Sequence, residues 1–110
     1  MTLPNSDRAT VDPRKVRDYL LSEAHPVGRF KSSFFISFGY TDDQWELLRD
    51  DLLTLARTGQ AVPGKPSAFG RMFEVNGILK APSGRSVELK TIWMIRENED
   101  APHFVTAYPR

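Results

Sequence analysis

Nine side chains in this sequence can work on a phosphate without a metal: His25, Arg29, Lys31, Arg71, Arg85, Lys90, Thr91, Thr106 and Tyr108. Together they suit cleavage of an RNA phosphodiester. That reaction needs a base for the 2′-hydroxyl proton and an acid for the leaving 5′-oxygen. It also needs cations and hydroxyl donors against the charge that develops around phosphorus. An unperturbed histidine titrates at about 6.5, so His25 can serve as base or acid. Lys31 and Arg29 can hold phosphate, and Arg71, Arg85 and Lys90 are further cations for substrate binding. Thr106 and Tyr108 are two residues apart, so on a strand both point to one face.

Each of these residues also has a purely structural reading. A lone histidine before a proline is commonly an exposed or structural loop residue, and surface Arg29 and Lys31 are commonly just solvated. Thr106 and Tyr108 fit a strand on propensity alone. Trp45 and Trp93 lie on apolar stripes and are expected in the core. Other chemistries lack their residues. There is no Walker loop, dinucleotide glycine pattern, HExxH or GxSxG. His25 and His103 do not have metal-pair spacing. The absence of cysteine removes disulfides, thiol catalysis and cysteine-bound zinc. Neither a cofactor nor a metal is expected. The adjacent carboxylates Asp42/Asp43 and Glu99/Asp100 are explained by a helix start and a turn, which leaves a carboxylate-pair hydrolase without support.

The elements that must position these groups follow from local pattern. At 110 residues, with 40% hydrophobic and 26% charged residues, the chain fits one domain. No apolar run approaches the roughly 20 residues of a membrane helix, and no secretory leader is read at the start. The cysteine-free composition fits a reducing, cytoplasmic site of action, with delivery by secretion left open. Residues 1–9 read as a flexible lead-in, and residues 10–110 as a single α+β domain. Charge is polarised. Residues 42–57 carry five carboxylates against two arginines, while residues 60–96 carry six cations against two glutamates. One acidic helix and a basic remainder can produce a positive face, or can be ordinary solvated surface.

Asp12-Pro13 predicts a helix start, with Val16, Tyr19 and Leu20 on one apolar face and an end near Glu23 before Pro26. His25 to Lys31 reads as a loop stiffened by Pro26 and Gly28. Lys31 to Phe38 can be read as a strand or a helix; Phe34, Phe35 and Phe38 suit one helical face, and Gly39 at its end favours a short helix. Thr41 to Gln44 has capping-box spacing, and Trp45, Leu48, Leu52 and Leu55 form a helical stripe. Residues 59–70 read as a connector. The period then becomes two: strands over 71–80, 87–96 and 104–108 form an antiparallel β-meander of three to four strands, with the helices packed on it and 87–96 central. Residues 81–85 and 98–100 are the turns.

Three segments carry a resemblance: Val16 to Leu21 running into His25 to Lys31; Thr91 to Ile95; and Val105-Thr106-Ala107-Tyr108-Pro109. They resemble a group of small bacterial domains found alone and at the ends of large secreted toxin-like proteins. The layout is similar to that of the barnase–EndoU–colicin–RelE (BECR) ribonuclease superfamily, several of whose toxins end in a strand close to T-x-Y-P. The resemblance spans roughly residues 14–109 as scattered motifs. It implies a metal-independent ribonuclease, the toxin of a toxin–antitoxin or polymorphic toxin system, acting on RNA and held by an inhibitory antitoxin or immunity protein. Carried over by position, the catalytic set is His25, Lys31, Thr106 and Tyr108, with Arg29 as phosphate contact. His103 is not placed like the second histidine of EndoU-type members. The competing expectation is a non-catalytic interaction domain (antitoxin, immunity protein or adaptor) using the acidic helix 42–57.

Overall fold

The computed structural model describes residues 1–26 and 28–110, apart from the side chain of residue 30; Val27 and the Phe30 side chain of the expected loop lie outside it. The architecture is α+β, with helical segments followed by a four-stranded antiparallel sheet in the order β1-β2-β3-β4.

Helix α1 (Pro13–Lys15) opens where Asp12 accepts a hydrogen bond from the Arg14 amide (2.9 Å). It widens into a π-helical turn, Val16–Leu20, closed by the Leu21 N–H on the Val16 carbonyl (2.9 Å). The helix ends here rather than near Glu23. The Ser22 hydroxyl accepts from the amides of Ala24 and His25 (3.2 Å each), which gives the backbone a turn in place of helical bonds. Helix α2 (Arg29–Ser37) takes in the end of the expected loop, so Arg29 and Lys31 stand in its first turn. It stops at Gly39, whose φ of 99° belongs to the left-handed region. Helix α3 (Trp45–Thr58) is preceded by a 3-10 turn, Asp42–Gln44, and the Thr41 side chain makes no capping bond. Leu48, Leu52 and Leu55 of α3 are buried as the stripe requires.

The connector expected at 59–70 contains β1 (Gln60–Pro63), which pairs with Phe73 to Asn76 of β2 (Gly70–Lys80). Four residues with only Ala61 buried are too few to register as alternation, and Pro63 suits an edge strand. Strand β3 (Ser86–Arg96) lies between β2 and β4 (Pro102–Pro109), central as its composition requires. Its inner face, Leu89, Thr91, Trp93 and Ile95, is buried, and the outer-face residues Lys90, Ile92 and Met94 are half-buried. The Trp93 indole donates to Thr91 Oγ1, which donates to the Val75 carbonyl, both at 2.8 Å. Thr91 is thereby a core residue, away from any surface chemistry. Residues 1–9 carry contacts of their own: Leu3 is buried, Met1 accepts from the Ala61 amide, and the Asn5 side chain donates to the Asp100 carbonyl. Among the described residues, no helix is long and apolar enough to cross a membrane.

Candidate functional site

Strand β4 does not run in one phase. Phe104 pairs with Trp93 and Thr106 with Ile92, so Val105 is an extra residue, a β-bulge. Beyond it, Thr106 stands opposite Ile92 and Tyr108 opposite Lys90, which places both on the outer face of the sheet. Ala107 between them faces inward and is fully buried. The bulge also puts His103, opposite Met94, on the outer face, although it lies an odd number of positions, three, before Thr106.

The two outward side chains of β4 meet Lys31 from α2. Its ammonium donates to Thr106 Oγ1 at 2.7 Å and to the Tyr19 hydroxyl oxygen at 3.0 Å. It also lies 4.0 Å from the centre of the Tyr108 ring, a cation–π distance. An ammonium has three N–H donors and accepts nothing, so these three partners occupy it. Tyr19 and Thr106, 3.4 Å apart, therefore both use an oxygen lone pair on Lys31 and keep their hydroxyl hydrogens for each other or for a ligand. Burial alone would push the Tyr19 phenol up, but hydrogen bonds from Lys31 and Thr106 and the charge of Lys31 outweigh it, and its pKa is lowered.

His25 closes the cluster from the side, with its ring edge-on to Tyr19 at 5.0 Å between centres. The Gly28 amide donates to its Nδ1 at 2.9 Å. An accepting Nδ1 carries no hydrogen, so the ring proton resides on Nε2. Gly28 itself is required by packing: a Cβ there would lie 1.9 Å from the Tyr19 carbonyl oxygen. That close approach brings the start of α2 against the π turn and Lys31 onto Tyr19. Tyr19, His25, Val105 and Thr106 line a groove of about 680 Å³ together with Asp12, Arg14, Lys15 and Asp18.

The four expected catalytic residues are thus brought together, with His25 joined to the others through Tyr19. The expected binding cations are not. Arg29 stands in the first turn of α2. Lys90 is the cross-strand neighbour of Tyr108 but pairs with Glu74 at 3.5 Å. Arg85 donates to the Ser37 carbonyl (2.8 Å) and covers the Phe38 ring, fastening the β2–β3 turn to α2. Arg71 pairs with Ile95, five residues along β3 from Lys90 or roughly 16 Å at the rise of a strand, and stacks on Phe73. His103 is also elsewhere, with Thr10 Oγ1 on Nδ1 (2.9 Å) and Glu99 on Nε2 (3.0 Å). Among the described residues, no group of three potential metal ligands occurs. Tyr19 is the member that sequence pattern missed. It sits at i+3 in an apolar stripe, and only its hydroxyl, in a helix read as amphipathic, could have marked it.

The family described as a domain of unknown function, DUF6883, matches residues 2–110 of this chain. No curated protein matches it. The fold is similar to that of a chain in the "Contact-dependent growth inhibition toxin - immunity protein complex from Klebsiella pneumoniae 342", with a TM-score of 0.71 and 15% sequence identity. The likeness covers 91% of this chain and 98% of that one. At that identity the similarity is one of fold.

Proposed function

The chain belongs to the DUF6883 family, and we propose that it is a metal-independent ribonuclease of BECR type that acts as an antibacterial toxin. The observation that carries this reading is the convergence of Lys31, Thr106, Tyr108 and His25 around Tyr19 at the wall of a groove. Residues from three separate segments meet there around Tyr19, whose ring also packs against the core. A buried or half-buried cation with two polarised hydroxyls suits an anionic oxygen better than it suits packing. In this reading a phosphodiester lies in the groove. Thr106 and the His25 Nε2–H donate to its phosphoryl oxygens, Arg29 supplies charge, and Lys31 keeps the hydroxyls oriented. Attack of the 2′-oxygen yields a 2′,3′-cyclic phosphate and a free 5′-hydroxyl. The fold likeness to a chain of a toxin–immunity protein complex supports a life with an inhibitory protein partner.

The purified protein is expected to cleave tRNA or total RNA in EDTA and to leave cyclic phosphate ends. Expression without a partner is expected to arrest cells, and His25→Ala to relieve the arrest. Intact RNA across a range of pH and salt would overturn the reading. A non-catalytic, immunity-type role is the second reading, favoured by the exposed carboxylates Asp42, Asp43, Glu46 and Asp50 around the start of α3, a surface for a basic partner. It expects harmless expression and a stable complex in a pull-down, lost when those carboxylates are neutralised.

A further inference from the structure

We propose that Tyr19 is the general acid of this site, giving its phenolic proton to the 5′-oxygen that leaves phosphorus. The inference rests on the ribonuclease reading and assigns a role to a residue that the resemblance does not name.

The groove offers few groups that can give up a proton. Asp12 is held at about 2 by hydrogen bonds from Arg14 and carries no proton near neutrality. Asp18 pairs with Arg17 at 3.3 Å. No hydrogen bond or ion pair among the described residues aims the Lys15 ammonium, although its charge reaches Asp12 and Tyr19. The Nδ1 of His25 is already taken up by the Gly28 amide. The Thr106 hydroxyl is aliphatic and a far weaker acid than a phenol. Lys31 is an acid in principle, but its three donors are taken up by Thr106, Tyr19 and the Tyr108 ring.

Tyr19 meets the requirements that these groups fail. Its oxygen accepts from Lys31, so its hydrogen is free to point away from the ammonium. Once the proton has gone, the tyrosinate oxygen remains 3.0 Å from the ammonium and 3.4 Å from the Thr106 hydroxyl. The ammonium donates to it, and the Thr106 hydroxyl can turn to it once it lets go of the phosphoryl oxygen, which is the environment an acid needs in its spent form. Against the effect of burial, the hydrogen bonds of Lys31 and Thr106 and the Lys31 charge lower the phenol's pKa from its ordinary value, which makes release of the proton easier. The edge-on His25 ring fixes the phenol ring from the side.

The step balances without a cofactor. The 2′-oxygen forms its bond to phosphorus and its proton passes to water in the groove. The phosphorus–O5′ bond breaks, the electron pair goes to O5′, and O5′ takes the Tyr19 proton. The hydronium then returns a proton to the tyrosinate.

Tyr19→Phe keeps the ring and its packing and removes only the hydroxyl. On ordinary RNA it is expected to lower kcat about 10²–10⁴-fold, the usual worth of a positioned acid, with KM little changed. It should also abolish the fall of kcat at alkaline pH, where the wild type loses activity as Tyr19 deprotonates. The decisive substrate has sulfur in place of the bridging 5′-oxygen, because a thiolate leaves without protonation. On that substrate Tyr19→Phe and the wild type should cleave at the same rate. Equal loss on both substrates would mean that Tyr19 only positions groups, and would overturn the proposal. So would no loss on ordinary RNA. Should the Phe variant fold poorly, fluorotyrosine at position 19 is expected to move the alkaline limb to lower pH, and an unmoved limb overturns the proposal. A wild type that cleaves neither substrate overturns the ribonuclease reading itself, whereas a wild type that cleaves both with Tyr19→Phe unaffected overturns only the role of Tyr19.

Discussion

Two tyrosine hydroxyls on the helical side of the molecule face charges of opposite sign. Tyr40, after α2, is buried and donates to the Asp51 carboxylate of α3, and burial, that hydrogen bond and the carboxylate charge all push its pKa up, far above its ordinary value. Tyr19, in the π turn, accepts from the Lys31 ammonium, and its pKa is lowered against its own burial. The phenols differ in two ways: Tyr40 is fully buried and Tyr19 only partly, and the neighbour of Tyr40 favours keeping the proton while that of Tyr19 favours giving it up. A proton held permanently makes Tyr40 a fastener between α2 and α3. A proton held loosely, beside a groove, makes Tyr19 a reagent.

The comparison can be broken most forcefully at Lys31. Lys31→Met removes the charge that separates the two tyrosines. It is expected to cost about 10²–10³-fold in cleavage rate, the scale for loss of one preorganised charge-stabilising group. A spectroscopic tyrosine titration of this variant should show the earliest phenol moving to higher pH while Tyr40 stays late. An unchanged titration would show that Lys31 does not control Tyr19. Next in size is Gly28→Ala, whose added carbon overlaps the Tyr19 carbonyl. It should destabilise the fold by about 1–3 kcal/mol, the usual range for overpacking, read as a lower Tm. It should also reduce cleavage by parting α2 from the π turn.

The smallest effect on cleavage is expected at Tyr40. Tyr40→Phe should cost about 1.5–3 kcal/mol of stability for the lost hydrogen bond to a charged group and leave the alkaline limb of the cleavage profile in place. Its stability should depend on pH in one direction only. Because the folded-state pKa of Tyr40 lies above the unfolded value near 10.0, its contribution is fully present below pH of about 10 and declines as pH rises further. Wild-type stability, followed by denaturant unfolding, is therefore expected to fall more steeply above that pH than that of Tyr40→Phe. Parallel curves would remove Tyr40 from the account.

Much of the fold could be read in the residue pattern. The period-two run of β3 with its apolar centre placed it inside the sheet, and Gly39 and Gly59 marked the ends of α2 and α3. The pairing of Thr106 with Tyr108 on one face followed from strand parity. Strand β1 escaped because it is short and earns its place through pairing with β2, a non-local interaction that no window reveals. Tyr19 escaped because an apolar stripe and a functional hydroxyl have the same spacing, and the π turn that aims it depends on i→i+5 bonding such as that from Leu21 to Val16. Arg71 and Arg85 were grouped with the site on charge alone. Charge in the sequence carries no position, and the sheet register sends Arg71 to the far end of β3 and Arg85 into a turn.

The bulge at Val105 has a consequence for how the chain tolerates change. Pairing before it is anchored by Thr10, whose backbone bridges His103, and pairing after it is anchored by the helices through Tyr19 and Lys31. The extra residue works as an expansion joint between the two. A one-residue shift in the segment 98–103 can be absorbed there without turning Thr106 and Tyr108 to the other face. The joint therefore lets the turn before β4 vary in length while the outward pair keeps its aim.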